Sequence, residues 1–93
     1  MVSVLDRRLF DLKARIYVTL KTGVLDPQGE AVKKSLHVLG YGNVEEVRMG
    51  KFVEVDLQAG DPEKARQELM EMSDKLLANP VIENYRVEMV EGE

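Results

Sequence analysis

Two Asp-Pro pairs constrain this chain more than any other feature. Asp26-Pro27 and Asp61-Pro62 each follow a stretch that alternates apolar and polar residues, and each precedes a stretch with helical spacing. An aspartate at the N-cap accepts the free N–H groups of a first helical turn, and a proline at the next position gives up no hydrogen bond there. The chain therefore switches from strand to helix at two fixed places. Before the first switch, Ala14, Ile16, Val18 and Leu20 alternate with Arg15, Tyr17 and Thr19, as in a half-buried strand. After it, Ala31, Val32, Ser35, Leu36 and Leu39 form the small or apolar stripe of a helix over residues 27–39, which Gly40 ends. Gly29 departs from the pattern, because glycine inside a helix costs about 1 kcal/mol relative to alanine. Its presence in the first turn predicts a close approach of backbone to something else, so the loop over residues 22–29 is a candidate contact site.

The second half repeats the plan. Residues 44–49 and 51–57 read as two strands joined in a hairpin around Gly50. A helix from Pro62 to about Ala78 buries Ala65, Leu69, Met72 and Leu76, with Glu71 and Lys75 as a favourable i,i+4 pair. Pro80 forces Asn79 out of helical geometry, and Tyr85, Val87 and Met89 alternate as a last strand. The order is β-α-β-β-α-β, an α+β ferredoxin-like sandwich with a four-stranded antiparallel sheet and two helices on one face. One domain over residues 14–93 accounts for it. Residues 1–13 form an N-terminal extension in which Leu5, Leu9 and Leu12 have the spacing of a short helical turn.

Composition narrows the chemistry. No cysteine and a single histidine leave no disulfide framework, no thiolate nucleophile and no zinc site of the usual N/S type. A net charge of −4 with both signs interspersed argues against a sequence-blind hold on nucleic acid. No apolar run approaches the roughly 20 residues that cross a membrane, and the N-terminus lacks a signal-peptide core, so a cytoplasmic protein is the default. His37 reads as an ordinary, partly exposed histidine with no orienting partner in its own motif. The acidic pairs Glu45-Glu46 and Glu68-Glu71 lie in polar stretches and read as solvated surface. Thr22-Gly23 before a helix start resembles an anion site, but Asp26 puts negative charge where a phosphate would sit.

Two features remain for contacts. Arg48 and Lys51 flank Gly50, either as solubilising charges or as contacts to a partner or its anionic ligand. Tyr17, Thr19 and Phe52 share the sheet face opposite the helices. Base stacking on that face is disfavoured, because Glu54, Asp56 and Glu88 share it and would repel a phosphate backbone. A half-apolar sheet face of this kind predicts a symmetric homodimer joined through sheet faces or edges, with a tetramer left open.

Four motifs, in order, resemble the PurS subunit family of phosphoribosylformylglycinamidine (FGAM) synthase. They are Tyr17-Val18-Thr19-Leu20-Lys21 with Gly23-Val24-Leu25-Asp26-Pro27-Gln28-Gly29; Ala31-Val32 with Leu39-Gly40-Tyr41; Val47-Arg48-Met49-Gly50-Lys51; and Leu76-Leu77-Ala78-Asn79-Pro80-Val81-Ile82-Glu83. The resemblance spans about residues 14–90 and assigns nothing to the extension. It implies a small, non-catalytic subunit for the fourth step of purine biosynthesis, where formylglycinamide ribonucleotide becomes the amidine with glutamine nitrogen and ATP. Its partners would be a glutaminase subunit and a synthetase subunit, the synthetase using ATP and Mg while this chain binds no cofactor. It would bridge the two and assist passage of ammonia. Asp26, Pro27, Gln28 and Gly29, then Arg48, Gly50 and Lys51, then Asn79 and Pro80 become the partner-contact candidates. The alternative from another class is an ACT-like regulatory dimer that binds a small molecule such as an amino acid.

Overall fold

The computed structural model describes residues 12–58 and 60–91. Three strands and two helices follow one another as β1 (Leu12–Leu20), α1 (Pro27–Val38), β2 (Gly50–Leu57), α2 (Pro62–Met72) and β3 (Glu83–Glu91). A π-helical turn, Ser73–Leu77, extends α2. β1 is the central strand and runs antiparallel to both neighbours, in the order β2-β1-β3. Ile16 stands opposite Val53 and Val87, while Tyr17 stands opposite Phe52 and Arg86. The alternation along β1 thus decides both faces of the sheet. Leu12 and Lys13 belong to β1; the rest of the expected extension lies outside the described residues.

Ala14, Ile16 and Val18 point to the covered face and form the core with Leu69 and Ala78. Burying a side chain the size of Ile16 or Leu69 contributes roughly 1.5–3 kcal/mol, so these two lead the stabilisation. Val53, Val55, Leu57, Leu77, Tyr85, Val87 and Met89 surround that core half-buried.

The structure corrects the expected architecture in three places. First, the described sheet has three strands and not four, because residues 44–49 join no ladder. The Met49 N–H is taken by the Asp26 carboxylate, so this segment is fastened to the start of α1 instead of to β2. There is accordingly no hairpin around Gly50, which opens β2 opposite Thr19. A Cβ at Gly50 would stand 2.5 Å from the Val18 carbonyl oxygen, which explains the glycine.

Second, α2 covers the sheet, whereas no residue between 21 and 49 belongs to the core or its half-buried surround. The expected α1 stripe is accordingly not a core stripe: Ala31 and Ser35 are exposed, and Leu39, which caps the helix rather than lying in it, is 71% exposed.

Third, α-helical geometry ends at Met72. The Ala78 N–H reaches five residues back to Ser73 O at 2.8 Å, a wide turn that shifts the phase of the inward face. Ser73 is therefore fully buried, with its hydroxyl on Leu69 O, while Leu76 is 83% exposed. The four-residue spacing of Glu71 and Lys75 falls across this turn, and they form no ion pair in the described residues.

Candidate functional site

Three loops meet at the end of the sheet where β1 finishes, and they carry the contact candidates. β1 exits into a turn in which the Val24 N–H donates to Lys21 O at 3.1 Å. The Lys21 N–H donates to Ile82 O at 2.8 Å, which ties this turn to the loop before β3. Arg48 reaches across from the third loop, with Nη1 on Val24 O at 3.3 Å and Nη2 on Lys21 O at 3.2 Å. Its guanidinium therefore clamps two carbonyls. It is not the turn-flanking charge that the hairpin reading implied.

Asp26 is the second tie. Its Oδ1 accepts the Gly29 N–H at 2.9 Å as an N-cap, and its Oδ2 accepts the Met49 N–H at 2.7 Å. The Met49 bond and then the Gly29 bond hold the carboxyl below its ordinary value against an opposing desolvation, and the Arg48 charge adds a weaker lowering. Gly29 is buried directly under this arrangement. A Cβ there would overlap the Val47 carbonyl oxygen and stand 2.5 Å from Asp26 Oδ2. The close approach expected of Gly29 is real, and it is made within the chain itself.

The third loop is similarly self-bonded. Asn79 O accepts the N–H groups of Ile82 at 3.0 Å and Glu83 at 2.7 Å. The Asn79 side chain accepts the Val81 N–H at 3.1 Å, and the Asn79 N–H donates to Glu83 Oε1 at 2.6 Å. Pro27, Gln28, Arg48, Gly50, Lys51, Asn79 and Pro80 are all exposed on this end, whereas Asp26 is half-buried. Asp26, Gln28, Met49, Gly50, Lys51 and Glu83 line an open groove of about 250 Å³ beside the ends of β1 and β2.

This end carries no pairing of a nucleophile with a base. His37 lies along α1 with Nε2 2.7 Å from Val44 O, so a carbonyl occupies the one imidazole. Among the described residues no group of three His, Cys, Asp or Glu side chains is placed to hold a metal ion. What the arrangement offers is a stiff surface rich in backbone groups. The sequence did not reveal the parts played by Lys21, Val24 and Ile82, because their contribution is a backbone carbonyl or N–H that any residue could supply.

The opposite face of the sheet is open. Tyr17 and Phe52 have ring centroids 5.2 Å apart, and the Arg86 guanidinium lies 4.2 Å over the Tyr17 ring. The Tyr17 hydroxyl donates to Glu88 at 3.1 Å. Arg15 sits between Glu54 and Glu88 at 3.4 and 3.9 Å, and Lys13 lies 3.8 Å from Asp56. Thr19 and Phe52 are exposed beside this charged lattice, so the three dimer-face candidates are neighbours on one surface. The acidic residues do share the face, as the alternation implied. Arg86 was missed, although period-two spacing from Tyr85 places it there.

The double tie at Asp26 leads to a prediction on pH. A carboxyl whose folded value lies below the ordinary one stabilises fully above its unfolded value, and that contribution is lost as pH falls through the folded value. Asp26→Asn should therefore lower the melting temperature at pH 7. The gap to the parent should close below the ordinary aspartate range of about 4. Thermal melts of both proteins between pH 7 and pH 2 check it, and a gap independent of pH would contradict the carboxylate role.

Comparison with known proteins agrees with this architecture. Residues 13–91 match the family model described as PurS, phosphoribosylformylglycinamidine (FGAM) synthase. The phosphoribosylformylglycinamidine synthase subunit PurS of Synechocystis sp. is 55% identical over 75 residues, covering 81% of this chain and 75% of that one. The crystal structure of Methanocaldococcus jannaschii PurS, one of the subunits of formylglycinamide ribonucleotide amidotransferase in the purine biosynthetic pathway, has a TM-score of 0.78 at 39% identity. It covers 88% of this chain and 99% of that chain. A chain in the structure of PurLQS from Thermotoga maritima gives a TM-score of 0.78 at 32% identity, over 85% of this chain and 96% of that one. The family model and these relatives each cover most of the chain, and the chain belongs to the PurS family of FGAM synthase subunits.

Proposed function

We propose that this chain is the small, non-catalytic subunit of phosphoribosylformylglycinamidine synthase in purine biosynthesis. It works in the cytoplasm as a homodimer, bridges the glutaminase and synthetase subunits, and assists the passage of ammonia between them. The family match along residues 13–91 carries this reading. ATP and Mg belong to the synthetase subunit, which activates formylglycinamide ribonucleotide for attack by ammonia. In neutral water ammonia is mostly protonated and no longer a nucleophile, so its transfer needs a route closed to solvent. A seal requires stiff, well-bonded backbone more than titrating groups, and the end of the sheet has that character.

The loop end provides the contact to the larger subunits through the exposed Pro27, Gln28, Arg48, Gly50, Lys51, Asn79 and Pro80, with Asp26 and Gly29 holding it in shape. The face around Tyr17, Thr19 and Phe52 faces a second copy. In this reading the three-stranded sheet is a ferredoxin-like sandwich whose remaining strand segment, residues 44–49, is drawn away to α1. The amino-acid-binding regulatory dimer is not favoured by the family match. The bridging role is tested by size-exclusion chromatography of the purified glutaminase and synthetase. The two should co-migrate when this chain is present and separate when it is omitted. Co-migration without it would contradict the bridge.

A further inference from the structure

Residues 21–49 leave the sheet at the end of β1 and return to it at Gly50, and none of them joins the core. They form one stiff arm. α1 is strapped to residues 44–49 through His37 Nε2 on Val44 O at 2.7 Å and Lys33 Nζ on Glu45 O at 3.5 Å. The far turn is closed by the Tyr41 N–H on Leu36 O at 3.0 Å and the Val44 N–H on Tyr41 O at 3.2 Å. An arm braced in this way keeps its freedom at the neck, where the outgoing and returning chains run side by side. Three bonds stitch those two chains together. Arg48 Nη2 donates to Lys21 O at 3.2 Å and Nη1 to Val24 O at 3.3 Å. These carbonyls are the two ends of one turn, closed by the Val24 N–H on Lys21 O, with Gly23 at a φ of +89°. Met49, the next residue along, gives its N–H to Asp26 Oδ2 at 2.7 Å. The Lys21 N–H on Ile82 O, at 2.8 Å, then fixes the neck to the loop before β3.

We propose that Arg48 is a positioning residue that latches this neck, fixing the direction of the arm against the sheet and, with it, the shape of the loop end. Its guanidinium is a planar fork that serves two carbonyls at once, whereas a lysine ammonium is a single point charge on a flexible stem. The latch therefore needs the fork and not the charge. A cation offered to a partner's carboxylate would be the other use of an exposed arginine here, and lysine would serve that use. The proposal deepens the reading of this end as the contact with the larger subunits, by assigning Arg48 to the support of that surface. It rests on that reading only for the assembly measurement.

The chain has no cysteine, so nitroxide labels go only where thiols are introduced. Asn43→Cys places one label on the far turn of the arm and Gln67→Cys a second on α2, both at exposed positions. The doubly labelled chain is diluted in unlabelled chain, and pulsed electron paramagnetic resonance gives the distribution of arm-to-sheet distances. The parent should give one narrow distribution. Arg48→Ala and Arg48→Lys should each at least double its width. Lys34→Ala, an equal loss of charge on the exposed surface of α1, should leave the width unchanged. Arg48 lies outside the core, so both of its variants should keep the parent's circular dichroism. If Arg48→Ala does not fold, Arg48→Lys decides. In parallel, each Arg48 variant should need about tenfold more chain to bring the glutaminase and synthetase together. A parent-like width in either Arg48 variant overturns the latch, and so does Arg48→Lys assembling as the parent does with a parent-like width. Wider distributions with undiminished assembly support the latch and contradict the contact reading of this end.

Discussion

Replacing Gly29 by valine is expected to destabilise the protein by about 3 kcal/mol, the upper part of the usual range for forcing atoms into a filled site. The cause is local and specific. The first added carbon would already overlap the Val47 carbonyl oxygen and crowd the Asp26 carboxylate, and neither is the free end of a flexible side chain. Moving the carboxylate would break the bonds to the Gly29 and Met49 N–H groups together, and these hold α1 and residues 44–49 in one unit. For a domain of this size the loss corresponds to a fall in melting temperature of roughly 10 °C or more. Gly42→Ala is the matched control, because a Cβ there meets nothing within 4 Å. It should melt within about 2 °C of the parent. Thermal melts by circular dichroism check both. A Gly29→Val protein as stable as the parent would show that the crowding is relieved without cost. The same variant should bind the glutaminase and synthetase more weakly at temperatures where it is still folded, because the exposed contact loop is shaped from beneath by Gly29.

The second large effect concerns activity. In the proposed complex the glutaminase makes ammonia and the synthetase consumes it, so a bridging subunit should matter for one nitrogen source and not for the other. Ammonia added to the medium reaches the synthetase from solution. Ammonia released from glutamine must be delivered before it is protonated and diluted. The proposed role gives this chain no part in the synthetase's chemistry, which should proceed alike in either case. The difference between the two nitrogen sources therefore isolates the role proposed for this subunit from any general effect on folding of its partners.

Local signals in the sequence were read correctly where the physics is local. The Asp26 and Asp61 caps with their following prolines mark helix starts to the residue. The alternation in β1 gives both faces of the sheet. Tyr17, Thr19 and Phe52 could be placed together from it because strand geometry alternates strictly. The loss of the fourth strand was not legible. Val44, Val47 and Met49 satisfy a strand pattern loosely, and what removes them from the sheet is a hydrogen bond from Met49 to Asp26, 23 residues away. The π-helical turn was hidden for the opposite reason. Ala65, Leu69, Met72 and Leu76 make an unbroken α-helical stripe, and the change of phase shows only in the structure, where Ser73 is buried with its hydroxyl on Leu69 O and its carbonyl accepts the Ala78 N–H. At the loop end, Gly29 signalled a close approach but not its partner. The carbonyls that Arg48 holds have no sequence signature at all.

The most direct test is to reconstitute the glutaminase and synthetase with and without this chain and measure FGAM formation from glutamine and from ammonium salt. Omission should abolish most of the glutamine-driven turnover while leaving ammonia-driven turnover within about twofold, a barrier change of less than ~0.5 kcal/mol. Glutamine-driven turnover that is unchanged by omission would contradict the bridging and ammonia-transfer role.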